Sequence, residues 1–130
     1  MKIQLASVFV DDQEKALRFY TDILGFIKKQ DIPAGKFRFL TVVSAEGPDD
    51  IELLLEPNEN LAAKTFQDAI FQQGIPMTAF SVADVHNEFE TLKQRGVVFR
   101  GEPMTMGPVT LAVLEDTCGN LIQIYQVKSP

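Results

Sequence analysis

A repeat constrains this chain more than any other feature. Val10 stands two residues before Asp12, and Gly25 follows; far downstream Val82 stands two residues before Asp84, and Gly96 follows. In both places an aspartate at the end of an alternating apolar run can cap a helix, and a glycine supplies the left-handed residue that ends one. Between cap and stop, Ala16, Leu17, Tyr20, Ile23 and Leu24 recur at helical spacings, as do Val85, Phe89 and Leu92. A chain in which strand end, cap and helix stop come twice in the same order reads as a duplication.

Alternation of apolar and polar residues supplies the strands. Residues 3–10, 26–30, 37–44 and 51–56 read as strands of the first half, punctuated by Pro33, Ala34 and Gly35 and by the polar stretch 46–50. Residues 77–82, 97–100, 109–114 and 121–127 read as strands of the second half. Between the halves, 57–76 is irregular, with a short helix expected over 65–73 before Gly74. The expected architecture is α+β: two β-α-β-β-β modules, 1–56 and 77–130, joined by a linker at 57–76 in one domain. A ferredoxin-like domain, the alternative, would place two strands between the helices where three are counted.

The end of the chain is a hairpin. Two alternating runs flank Asp116, Thr117, Cys118, Gly119 and Asn120, a compact turn. Leu121, Gln123 and Tyr125 then share one face of the last strand, and Ile122 and Ile124 bury the other.

Composition bounds function. At 45% hydrophobic and 23% charged, with no apolar run near the ~20 residues a membrane helix needs, the chain reads as soluble and globular. Met1 and Lys2 lead straight into a strand with no signal peptide in view, and the one cysteine, Cys118, cannot form an internal disulfide. A cytoplasmic location is expected. A formal charge of −6 without a Lys/Arg cluster argues against nucleic acid and anionic membrane surfaces, and permits neutral or cationic small ligands.

Three segments together carry a family resemblance. VFVDDQEKALRFYTDILGF (8–26), IELLLEP (51–57) and EDTCGNLIQIYQ (115–126) occur in this order, and the chain resembles the vicinal oxygen chelate superfamily, which includes glyoxalase I, extradiol dioxygenases and bleomycin-resistance proteins. The resemblance implies paired modules whose sheets curl into a cup, the glyoxalase/bleomycin-resistance/dihydroxybiphenyl dioxygenase fold. It also implies one side chain from each of four strands at a divalent metal. Carried onto this chain, the four positions are Leu5, Glu52, Met77 and Gln123. Leu5 has no lone pair, and the Met77 thioether suits Cu(I) rather than hard or borderline ions. Glu52 and the Gln123 carbonyl leave two ligands, short of the three a catalytic zinc normally holds. Exchange of modules in a dimer would change nothing, since each site would draw on the same four residue types. His86 is the only histidine and is expected on the surface of the second helix, so a two-histidine iron site cannot be built within one chain.

No catalytic metal is therefore expected. The resemblance then points to a bleomycin-resistance-like protein, in a homodimer as many relatives are, binding a small, partly hydrophobic molecule in a cup. Alternation nominates its lining: Leu5, Ser7 and Phe9; Glu52, Leu54 and Glu56; Met77, Ala79 and Ser81; Leu121, Gln123 and Tyr125. The alternative is a glyoxalase- or dioxygenase-type enzyme holding a divalent ion through Glu52, Gln123 and waters; a third reading is a catalytically silent interaction module. Glu52 is the one candidate catalytic residue, a proton acceptor if an apolar cup raises its pKa. It does not pair with Glu56 as glycosidase carboxylates do, because four strand residues separate their backbones by ~13 Å against the ~5 to 9.5 Å such pairs use.

Lys36 and Arg38 are expected on an outward or rim face, where they could meet an anion. Cys118 reads as a turn residue rather than a nucleophile. The loop 101–108, with Met104 and Met106 between glycines and prolines, is expected to be either an adaptable lip or a plain connector. No glycine-rich nucleotide motif occurs.

Overall fold

Both predicted caps form. Asp12 is extended and its side chain accepts from the backbone N–H of Lys15; Asp84 does the same for Asn87. In the computed structural model, which describes residues 1–128, the element order is β1 (Leu5–Val10), α1 (Gln13–Arg18), β2 (Ile27–Ala34), β3 (Phe37–Val43), β4 (Glu52–Pro57), α2 (Leu61–Gln72), β5 (Thr78–Ser81), α3 (Val85–Gln94), β6 (Met104–Met106), β7 (Val109–Glu115) and β8 (Leu121–Val127). A π-helical stretch, Phe19–Ile23, prolongs α1. Gly25 and Gly96, both at positive φ, end the two capped helices as a C′ glycine should. Two β-α-β-β-β modules result, each with one four-stranded mixed sheet, in an α+β fold.

The chain divides into two compact units, Met1–Gln67 and Asp68–Pro130. In the first, the sheet order is β1-β4-β3-β2, with β1 parallel to β4 and the other pairs antiparallel. One face buries Val8, Val10, Leu40, Val42 and Leu55 with Ala16, Phe19 and Tyr20 of the helical segment. Removing side chains of this size from water stabilises by roughly 1.5–3 kcal/mol each. Gln13 ties the helix to the sheet: its Nε2 donates to the carbonyls of Arg38 (2.7 Å) and Leu55 (2.9 Å), and its Oε1 accepts from the Arg38 N–H (3.0 Å).

The second unit repeats the pattern with order β5-β8-β7-β6. Val85, Phe89 and Leu92, the predicted stripe of α3, are buried, as are Ala112, Leu114, Ile122 and Ile124 of β7 and β8. The hairpin turn is organised by the buried Asp116. Its Oδ1 accepts from the N–H groups of Cys118 (2.7 Å) and Asn120 (3.0 Å), and its Oδ2 from the Asn120 amide (2.8 Å). Cys118 is buried in that turn, as a turn residue.

Four local expectations need correction. First, β2 runs on through Pro33 and Ala34, which do not turn; the reversal is at Gly35 and Lys36. Pro33 is tolerated because β2 is an edge strand, where a missing donor costs little. Second, α2 begins at Leu61, earlier than expected, because the Asn60 side chain accepts from the N–H groups of Ala62 and Ala63. Third, 97–100 is no strand but a lead-in with a single bridge, Phe99 to Leu114. Phe99 instead packs edge-on against Phe89, ring centroids 4.6 Å apart. Fourth, the strand expected there is β6, inside the supposed loop 101–108, where Met104 pairs with Leu111 and Met106 with Val109. Among the described residues no helix is long and apolar enough to cross a membrane.

Candidate functional site

The residues of interest lie on the sheet faces turned away from α1 and α3. In the first unit, the parallel register sets Leu5 opposite Glu52, Ser7 opposite Leu54 and Phe9 opposite Glu56. Paired strand residues point the same way, so these six share one face, and Thr41, opposite Leu54, shares it too. Leu5 is 46% exposed. An apolar surface left half in water is one that a ligand or partner can still cover.

Glu52 is the polar centre of this face. Its Oε1 accepts from the Gln30 amide at 2.6 Å and the Thr41 hydroxyl at 2.7 Å. Its Oε2 has the Lys29 ammonium at 4.0 Å, beyond a hydrogen bond. The Gln30 amide, then the Thr41 hydroxyl, hold the Glu52 carboxyl below the usual carboxylate range, with a smaller contribution from the Lys29 charge and with desolvation opposing. The expectation of an apolar cup raising this pKa is therefore corrected: two donors aimed at the charged form outweigh burial. Such a carboxylate is an acceptor rather than a proton-transfer group near neutral pH.

Gln30 and Thr41 were missed in the sequence. Thr41 could have been found, as the one hydroxyl in the apolar run of a central strand; Gln30, among Lys28, Lys29 and Asp31, looks like any surface residue. Lys29 also donates to the Asp49 carbonyl at 2.6 Å. That contact forms one wall of an open groove of about 700 Å³, lined by Ile27, Val43, Pro48 and neighbouring residues of the 44–49 loop.

In the second unit, Gln123 of β8 lies between Ala79 of β5 and Val113 of β7, and Tyr125 lies between Ser81 and Leu111. Met77, just before β5, donates its N–H to the Leu121 carbonyl at 2.8 Å, so it stands diagonal to Gln123 rather than opposite it. Leu121 is 1% exposed and supports this face from within. Tyr125 is half-buried, and Met104 and Met106 of β6, whose partners Leu111 and Val109 share the face, are exposed. Among the described residues none hydrogen-bonds the Gln123 side chain, which leaves its amide open to a ligand.

The other candidates resolve into structural roles. Arg38 makes a two-pronged contact with Asp31 (2.9 and 2.7 Å) and reaches Glu14 (2.9 Å). Lys36 is in the turn and meets Glu59 at 2.6 Å. Neither cation is left for an anion. His86 is exposed on α3.

The four family positions hold few donors for a metal ion. The first unit offers an alkyl group and a carboxylate with one oxygen engaged; the second offers a thioether and a neutral amide. Among the described residues, no three His, Cys, Asp or Glu side chains gather so as to hold a metal ion. Neither unit's own pair of donors fits a hard or borderline divalent cation.

The model of the Glyoxalase/Bleomycin resistance protein/Dioxygenase superfamily matches residues 2–124. The uncharacterized protein YurT of Bacillus subtilis is 59% identical over 126 residues, 97% of this chain and 99% of its own. A probable lactoylglutathione lyase of Synechocystis is 29% identical over 124 residues, covering 92% and 91%. Among solved structures, TnmS3, an antibiotic binding protein from a Streptomyces species, superposes with a TM-score of 0.75 at 27% identity, over 98% of this chain and 97% of that one.

Proposed function

The chain belongs to the Glyoxalase/Bleomycin resistance protein/Dioxygenase superfamily, and from that premise we propose that it binds a small, partly hydrophobic molecule against its exposed sheet faces without a catalytic metal. Donor chemistry carries this reading. Leu5 and Met77 stand at two of the four positions where the resemblance expects ligands, and Glu52 has committed Oε1 to Gln30 and Thr41. What remains suits recognition rather than Lewis-acid chemistry in each unit taken by itself: Leu5 and Leu54 give the first unit apolar surface beside the Glu52 carboxylate, and Leu111 and Tyr125 give the second apolar surface beside the Gln123 amide. The likeness to an antibiotic binding protein supports it further. The likeness to a probable lactoylglutathione lyase supports the fold equally, while Leu5 and Met77 would offer a metal no hard or borderline donor.

Two measurements test the proposal. Titration with Ni²⁺, Zn²⁺ and Fe²⁺, with elemental analysis of purified protein, should find no tight stoichiometric site. A panel of uncharged and charged amphipathic compounds should contain some that raise the melting temperature. A ligand at a hundredfold excess over Kd adds about 2.7 kcal/mol, roughly 10 °C for a chain of this length. Stoichiometric metal abolished by Glu52→Gln, together with lactoylglutathione lyase activity, would overturn it. A homodimer is the solution state expected with this reading; light scattering giving a monomer mass would count against that part.

A further inference from the structure

We infer that Glu52 Oε2 is the recognition atom for ligands carrying a hydrogen-bond donor, above all a protonated amine on an otherwise apolar molecule; this rests on the binding reading above. The two oxygens of this carboxylate are not equivalent. Oε1 takes the Gln30 amide and the Thr41 hydroxyl, at 2.6 and 2.7 Å, from two different strands. Those contacts fix the side chain, so the position of Oε2 is set before any ligand arrives. An acceptor held in place in this way loses little entropy when it binds.

Oε2 itself is left over. Its nearest cation, Lys29, is 4.0 Å away and makes its short contact elsewhere, at 2.6 Å to the Asp49 carbonyl. Oε2 is a carboxylate oxygen with no protein donor at hydrogen-bond distance among the described residues, and a ligand N–H that reaches it makes a charge-assisted bond. The surroundings say what the rest of the ligand should be. Leu5 lies directly across from Glu52, and Leu54 is next on the same face of β4. Both are only partly buried, so an apolar body beside the amine gains from covering them. The chain's net charge of −6 draws cations toward it and repels anions.

The competing assignment gives the role to Lys29, which would select an anion at the groove it lines with Asp49. Two planar probes distinguish them: 9-aminoacridine, a cation at neutral pH, and anthracene-9-carboxylate, an anion of similar ring area. Each is titrated by fluorescence and calorimetry into wild type, Glu52→Gln, Lys29→Ala and Glu90→Gln. In Glu52→Gln the Oε1 equivalent still accepts from Gln30 and Thr41, while an NH₂ replaces Oε2, so the fold is kept and the open atom turns from acceptor to donor. Glu90, exposed on α3, carries the same charge change at a remote place.

Wild type should bind the cation at least tenfold more tightly than the anion. Glu52→Gln should abolish or reverse that preference, while Glu90→Gln keeps it and Lys29→Ala keeps or strengthens it. Equal cation binding by wild type and Glu52→Gln would overturn the assignment and leave the binding proposal standing. Preference for the anion, lost in Lys29→Ala, would overturn it in favour of Lys29. Failure of both probes on wild type would also overturn it, and the binding proposal would then depend on the uncharged compounds of the panel. A melting temperature for Glu52→Gln close to that of wild type is the control for folding.

Discussion

Replacing Asp116 by alanine tests whether one buried side chain sets the closing hairpin and, through it, the face that carries Gln123 and Tyr125. The carboxylate accepts hydrogen bonds from Cys118 N–H, Asn120 N–H and the Asn120 amide, at 2.7 to 3.0 Å, and Asp116, Cys118 and Asn120 are all buried. Bonds to a charged group contribute about 1.5–3 kcal/mol each, but they are not additive, and losing them also relieves the desolvation of the carboxylate. A net loss of about 3 kcal/mol is expected for Asp116→Ala. With ~2.1 cal/mol/K of unfolding entropy per residue, a chain of 130 residues has about 0.27 kcal/mol/K, so the melting temperature should fall by roughly 11 °C. Asp116→Asn keeps an acceptor for the two backbone donors and should cost only about 1 kcal/mol. Urea unfolding followed by circular dichroism gives both numbers, and unchanged slopes would show that the unfolded state is not the cause. Asp116→Ala within 1 kcal/mol of wild type, or no worse than Asp116→Asn, would refute the claim that this carboxylate organises the turn.

Other substitutions follow from the same geometry. Gln13→Ala removes three bonds between α1 and the β3 and β4 backbone and should destabilise by about 2 kcal/mol in urea unfolding; Gln13→Glu should be nearly as costly, since a carboxylate cannot donate to the two carbonyls. The Arg38 guanidinium, by its hydrogen bond first and its charge second, holds the Asp31 carboxyl below the usual range. A depressed carboxyl adds stability above its unfolded pKa, near ~3.9, that is lost as pH falls through the lower folded value. Stability should therefore decline on acidification below about pH 4, and Arg38→Met should flatten that decline; parallel acid limbs for the two proteins would contradict it. Thr41→Val removes one of the two donors on Glu52 Oε1 and should move the Glu52 carboxyl upward, toward the ordinary carboxylate range, as read by carbon NMR titration. A carboxyl that does not move would show that the hydroxyl contact is not made in solution.

What could be read from the sequence was what depends on near neighbours. Asp12 bonds Lys15 N–H and Asp84 bonds Asn87 N–H, three residues away in each case, and Gly25 and Gly96 answer to local backbone alone. The repeat was visible because caps and stops are short-range chemistry. Strand identity was less so where apolar residues serve a helix instead: Val97 and Phe99 alternate like a strand, yet Phe99 packs on Phe89 of α3 and forms one bridge only. Met104 and Met106, read as loop because of flanking glycines and prolines, become a strand through pairing with Val109 and Leu111, which sequence alone does not reveal. The Gln30, Thr41 and Glu52 cluster was illegible for a related reason. Its members lie on β2, β3 and β4, and only the order of those strands and their register bring them together.

That cluster admits a purely structural account, in which Glu52 is a clasp from β4 across β3 to β2, and the two accounts make opposite demands on its oxygens. A clasp needs Oε1, which holds both donors; recognition needs Oε2, which holds none at hydrogen-bond distance. Because a glutamine at this position preserves the first oxygen and replaces the second, stability and ligand preference should separate in one variant. A clasp alone predicts a modest loss of stability, because the bonds to Oε1 lose their charge assistance, with ligand preference unchanged. The same asymmetry bears on metal binding: a carboxylate with one oxygen committed can give a cation only the other, and in the first unit its partner across the strands is the alkyl side chain of Leu5.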